Sequence, residues 1–208
     1  MYRRNNACSR EKNIYKFVSS KMDAVYTVNS CLNFDICFHF EYSPTVLTYI
    51  PYPQKFHYRF NSHLSEYTPS FKVTNQFDDV QFIEVNKASR IRQSKFKEKF
   101  AAIKSEVSKS GCYLILVTEN QIRTKPLLAN LKLVNRYSNC ILTLDLQIRI
   151  LDIVGSFETI YVSELISLSS ESAGLVKETV LSLVASSKLS INLNEVEFGF
   201  TSLVWRQS

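Results

Sequence analysis

No apolar run in this sequence is long enough to cross a bilayer. The longest, such as Tyr113-Leu-Ile-Leu-Val117, fall well short of the roughly 20 residues that a spanning helix needs. The opening Met1-Tyr-Arg-Arg-Asn-Asn-Ala7 lacks the apolar core of a secretory leader, so a cytoplasmic protein with no membrane partner is expected. Metal-type cysteine spacing is missing too. The five cysteines, at positions 8, 31, 37, 112 and 140, form no CxxC pair and have no histidine at ligand spacing. That argues against structural zinc and for buried, reduced thiols. Cations are scarce at one end: residues 141–208 hold four Lys or Arg against eight Asp or Glu, a balance of −4. Because the whole chain is +6, the first 140 residues carry +10. A polyanion partner belongs to that first part, where Lys and Arg can neutralise phosphates with release of counterions. The acidic part calls for a different partner.

What is present suffices for a real core: 208 residues, 45% of them hydrophobic, support one or two domains. Residues 1–29 are basic and polar, with Arg3, Arg4, Arg10, Lys12, Lys16 and Lys21 among Tyr15 and Phe17. They read as an arm, either laid along a DNA backbone or solvated. Ser30 is a cap for a short, largely buried helix that ends before Ser43-Pro44. Val46–Tyr52 and Phe56–Phe60 alternate with period two and predict strands, with Pro51 and Pro53 marking an edge or bulge. Ile91–Ser110 predicts a helix whose apolar stripe of Ile91, Phe96, Phe100, Ile103 and Val107 packs on the sheet, while Arg92, Lys95, Lys97 and Lys99 face out; Gly111 ends it. Cys112–Thr118 is continuously apolar, as in a strand buried on both faces. His39 and His57 are expected to be packed, and Trp205 to anchor the core from the last strand.

The stretch Glu66-Tyr-Thr-Pro-Ser-Phe-Lys-Val-Thr74, followed by Val80-Gln-Phe-Ile-Glu-Val-Asn-Lys87, resembles the β-hairpin that carries the carboxylates of restriction-type nucleases. In such a hairpin an Asp after Pro and a Glu-x-Lys pair on the next strand bind divalent metal and orient water, because alternate strand residues share a face. Here those positions hold Ser70, Glu84 and Asn86.

Past Pro126, Leu127–Tyr137 predicts a linking helix. Helices over Leu142–Val154, Tyr161–Ile166 and Ala173–Ser186, then strands Leu189–Leu193 and Gly199–Trp205, follow the order of a winged-helix unit. Such a unit usually sets its third helix in the DNA major groove. This helix supplies only Lys177, beside Glu178, and the wing carries Glu195 and Glu197, which repel phosphates. Protein contact or structural support is therefore expected of it.

The segments Leu32–Pro44, Tyr67–Phe71, Phe82–Val85, Val117–Arg123 and Asn130–Ser138 resemble TnsA, the endonuclease subunit of heteromeric transposases, in the short form found in CRISPR-associated transposons. The resemblance covers nearly the whole chain. It implies an α/β chain built from a restriction-endonuclease-like, PD-(D/E)xK domain over 30–138 and a winged-helix domain over 139–208, behind the basic arm of 1–29. It also implies cleavage of non-transferred strands at transposon-end DNA, in complex with a TnsB-like transposase and a TnsC-like AAA+ regulator met through the winged-helix domain. The family's helix carries a metal-binding Glu where this chain has Asn33; its Tyr-Thr-Pro-Asp ends here in Ser70, and its Glu-x-Lys reads Glu84-Val-Asn86. Only Glu84 of the four active-site positions is retained.

A hard divalent cation is held mainly by carboxylate charge, and Asn or Ser offers only a dipole. Asn86 cannot supply the cation that Lys brings to developing negative charge. Loss of one such stabiliser costs ~10²–10³ in rate, so three losses predict a non-cleaving, architectural subunit with no metal cofactor. The alternative is a working nuclease with Mg²⁺ held by a migrated carboxylate from among Asp35, Glu41, Glu66 and Asp79, and with Lys87 standing in for the missing Lys. Geometry opposes it: Asp35 lies about 200° around the helix from Asn33, and Lys87 points to the strand face opposite Asn86.

Overall fold

A computed structural model of the protein describes residues 13–207. The chain divides into two compact units, Met1–Glu119 and Asn120–Ser208.

The first unit begins with an antiparallel hairpin, β1 (Ile14–Ser19) and β2 (Ala24–Asn29). This corrects the expected arm over the described part of 1–29; Arg3 and Arg4 lie outside the described residues. The aromatics decide the outcome. Phe17 packs edge-on to Phe34 and Phe38 at 5.9 and 5.1 Å, and Tyr15 stacks on Phe34 at 5.4 Å. Burying those rings outweighs solvating a basic ribbon.

Helix α1 (Cys31–Tyr42) starts where Ser30 accepts a hydrogen bond from Asn33 N, and it is buried nearly all round, as its apolar spacing predicts. Its C-terminal end is closed by Lys21, whose Nζ donates to the carbonyls of Phe40, Ser43 and Val46. Glu41 is satisfied from the same side by Ser19 Oγ, Tyr49 OH and Lys21 N.

Strand β3 (Val46–Pro51) follows at a sheet edge, as Pro51 and Pro53 suggest, with a register shift at its other end, between Val46 and Thr48. Next, β4 (Phe56–Phe60) and β5 (His63–Tyr67) form a ribbon of their own, and β6 (Phe71–Asn75) rejoins the main sheet. Glu66–Thr74 is thus not one strand: Thr68-Pro69 separates two, since proline has no N–H for a ladder. Strand β7 (Val80–Asn86) pairs antiparallel with β6. The short α2 (Ala88–Ile91) then breaks at the extended Gln93 before α3 (Ser94–Ser108), so the expected helix from Ile91 is two helices.

On α3, Ile103 and Val107 pack with Tyr58, Phe82 and Leu114, and Gly111, at φ 73°, ends the element. Strand β8 (Tyr113–Thr118) pairs parallel with β7 and completes the order β3-β6-β7-β8. It is not buried on both faces. Leu114 is buried beside α3, but Tyr113 and Ile115, on the other face of this edge strand, are exposed.

The short α4 (Glu119–Ile122) lies across the division. The second unit continues with α5 (Leu127–Tyr137), α6 (Leu144–Gly155), β9 (Ile160–Tyr161), α7 (Val162–Ser169), α8 (Ala173–Ala185), β10 (Leu189–Ile191) and β11 (Leu203–Arg206). The strands form an antiparallel sheet in the order β10-β11-β9. Ser172 caps α8 through Leu175 N. Leu146, Ile150, Val154, Leu165, Val176, Val180 and Val204 form its interior.

Helix α5 belongs to this unit rather than to the first, which moves the boundary ahead of residue 139. The cause is visible at Asn130. Its Nδ2 donates to the carbonyls of Leu193 and Val196, and its Oδ1 accepts from Phe198 N, so α5 holds the loop between β10 and β11.

Among the described residues the fold is mixed α/β with eight helices and a mixed four-stranded sheet. No helix among the described residues is long and apolar enough to cross a membrane. Three smaller expectations are corrected. His57 is exposed, with Nε2 3.6 Å from Glu66 Oε1; Trp205 is half-buried while its neighbour Val204 is the buried anchor; and of the described cysteines only Cys37 is buried.

Candidate functional site

The strand alternation of β7 sets Glu84 and Asn86 on one face, and Pro69 delivers Ser70 beside them at the entry to β6. Three of the four motif positions meet in one hydrogen-bond cluster. Glu84 Oε1 accepts from Asn86 Nδ2 at 2.6 Å. Glu84 Oε2 accepts from Tyr67 OH at 2.8 Å and, at the long distance of 3.4 Å, from Ser70 Oγ. Ser70 Oγ in turn accepts from Val85 N at 3.1 Å, tying β6 to β7 at the site.

Asn33 joins through Tyr52 rather than directly. Its Nδ2 donates to Tyr52 OH at 3.0 Å, and Tyr52 N donates to the carbonyl of Ser70 at 3.0 Å. The same hydroxyl accepts from Asn29 N at 2.6 Å. Asn33, Ser70 and Asn86 are all buried. The motif gives no role to Tyr67 or Tyr52, although Tyr67 sits inside the Tyr-Thr-Pro-Ser stretch; Tyr52 carries no signal in the sequence.

Burial raises the pKa of Glu84, opposed by its bonds from Tyr67 and Asn86 and by the charge of Arg90. The Tyr67 phenol is pushed far up by burial and by the adjacent Glu84 charge. Tyr67 therefore stays a donor, and a carboxylate that already accepts three protein hydrogen bonds is what it serves.

These residues do not fit a hard divalent cation. The site has one carboxylate, both of its oxygens already accept from protein donors, and the other three side chains are neutral. Among the described residues, no three His, Cys, Asp or Glu side chains are grouped to hold a metal ion. The groups that might migrate in are engaged elsewhere. Glu41 serves Ser19 and Tyr49, Glu66 pairs with Lys55 at 2.7 Å, Asp79 accepts from Asn75 Nδ2, and Asp35 is buried in α1 within 3.8 Å of Cys31 Sγ. Lys87 is exposed at the N-cap of α2. The arrangement holds a strand end and a helix in register; it offers no second anion with which to bind an ion.

The predicted DNA-contacting side chains Arg92, Lys95, Lys97 and Lys99 are all exposed, and none pairs with a carboxylate among the described residues. They are not one row. Lys95 and Lys99 share a flank of α3, and Lys97 lies about 200° around the axis from Lys95. Lys99 Nζ stands 5.8 Å from the ring centre of Tyr58 on β4.

No protein-family model matches the chain, and comparison with curated proteins finds no match.

Proposed function

We propose that the chain is a TnsA-like subunit of a transposase complex that binds transposon-end DNA without cutting it. The first unit runs helix, three antiparallel strands, helix, parallel strand, with β4–β5 inserted, which is the order of a restriction-endonuclease-like core. The second unit supports the winged-helix reading: α6, β9, α7, α8, β10 and β11 with the central strand last in sequence. In this reading the basic first unit contacts DNA beside a TnsB-like transposase, the second unit, acidic over residues 141–208, meets a TnsC-like AAA+ regulator, and the complex works in the cytoplasm.

The observation that carries the non-cleaving role is Glu84, the one carboxylate at the four motif positions, with Tyr67, Ser70 and Asn86 all turned onto it. A metal that binds weakly neither activates water nor shields the scissile phosphate. The test is a nicking assay on a plasmid bearing transposon ends, with the transposase partner and Mg²⁺ or Mn²⁺ present. The non-transferred strands should stay intact, and sequenced insertion products should be cointegrates. Metal-dependent nicking that disappears in Glu84→Ala overturns the proposal in favour of a rebuilt nuclease.

A further inference from the structure

Between the β4–β5 ribbon and α3 runs a cavity of about 420 Å³ lined by His57 and Arg59 of the ribbon and by Ala102, Ser105, Glu106 and Lys109 of the helix. The small side chains of Ala102 and Ser105 leave it open. Its charges are arranged unequally. Glu106 is held by Lys109 Nζ at 2.6 Å, and Glu66, across the ribbon from His57, is held by Lys55 Nζ at 2.7 Å. Arg59 is opposite Leu64, which offers it no acceptor, and it pairs with no carboxylate among the described residues. An exposed guanidinium fork in a polar groove, beside an imidazole and a hydroxyl, has the geometry to bind a phosphate through paired N–H donors.

Lys95 and Lys99 lie on the flank of α3 that faces β4, as Lys99 over Tyr58 shows. From Lys95 to Lys109 that flank is about 21 Å long. Such a row meets several phosphates of one strand, whereas a free phosphate or mononucleotide would use only its end. We infer that this groove seats one phosphodiester of a DNA backbone, with Arg59 as the anchor and Ser105 beside it, so that the ribbon is a second wall of the DNA path along α3. The inference rests on the DNA-binding part of the proposed function and adds to it the place and the anchoring residue.

The test measures binding of a short labelled duplex to the full chain by fluorescence anisotropy over a range of salt. Arg59→Ala should weaken binding about tenfold and lower the slope of log affinity against log salt by about 0.9. Arg59→Lys should keep the slope and recover only part of the affinity, since lysine lacks the fork. Lys188→Ala, which removes an exposed cation from the second unit, should change neither. If Arg59→Ala binds like the native chain while Lys95→Ala combined with Lys99→Ala is weakened, the groove is not the phosphate seat and the DNA reading stands. If the native chain shows no salt-sensitive duplex binding, both fall. Inorganic phosphate that binds as tightly as the duplex makes this a small-anion site and overturns the inference.

Discussion

Asn86 donates its side-chain amide to Glu84 Oε1 at 2.6 Å, two residues along one face of β7. At the position where the Glu-x-Lys motif of restriction-type nucleases has a lysine, this chain has an amide turned back onto its own carboxylate. The remaining oxygen is taken by Tyr67 and Ser70. Burial still dominates, and the pKa of Glu84 is raised. A raised folded-state pKa means that the native protein keeps a proton that the unfolded chain has released, so stability falls as pH rises from the ordinary carboxylate range through the raised value. Glu84→Gln removes that titration. Melting curves of the two proteins across acid to neutral pH should diverge, with the variant gaining on the native chain as pH rises. A constant offset at every pH would count against this account.

Ser70→Asp places a second carboxylate next to Glu84 Oε2, from which Ser70 Oγ is 3.4 Å away. Two neighbouring anions in a half-buried site repel, and the variant should melt about 3–6 °C below the native protein in chelator. Millimolar Mg²⁺ or Mn²⁺ should restore it, because paired carboxylates are what a hard ion requires. The native chain should respond to neither condition. A variant as indifferent to metal as its parent would mean that β6 and β7 do not hold these positions in nuclease geometry.

Much of this was legible along the chain. Ser30 announced α1, the stripe from Phe96 to Val107 announced α3, and Leu127–Tyr137 formed a helix over the expected span. The motif positions Ser70, Glu84 and Asn86 do meet, because strand alternation and a proline are local facts. What was missed depends on distant partners. The hairpin β1–β2 looked like an arm because the ring of Phe34, onto which Tyr15 and Phe17 pack, lies beyond it in sequence. β8 looked doubly buried because an apolar run does not reveal whether its strand is central or at an edge. Tyr67 and Tyr52 reach the site through hydroxyl groups whose targets no spacing rule names.

Asn130 makes three hydrogen bonds to the backbone between Leu193 and Phe198 and is almost fully buried. Its replacement by alanine leaves two carbonyls and an N–H without their partner. Asn130→Ala should cost about 2–4 kcal/mol in denaturant unfolding. Hydrogen exchange at Phe198 N should speed up more than at Val204 in the sheet interior. Asp in the same place keeps the acceptor for Phe198 N but loses both donations, and should not rescue. Equal exchange at Phe198 in native and variant chains would show that the loop holds its shape without α5.

Lys177 Nζ stands 3.6 Å from the ring centre of Phe200, so the one cation of α8 is turned onto the loop before β11. Glu178 beside it, with Glu195 and Glu197 in the neighbouring loop, sets a field that disfavours phosphate. By contrast, Lys95 and Lys99 are exposed on one flank of α3 and pair with no carboxylate among the described residues. Lys177→Ala should leave duplex affinity and its salt slope unchanged, at a stability cost of about 0.5–1 kcal/mol from the lost ring contact. Lys95→Ala combined with Lys99→Ala should lower the slope by about 1.8, roughly 0.9 for each phosphate contact given up. The reverse pattern, with Lys177 carrying the salt dependence and α3 silent, would assign DNA contact to the second unit and leave the basic helix of the first as a solvated surface.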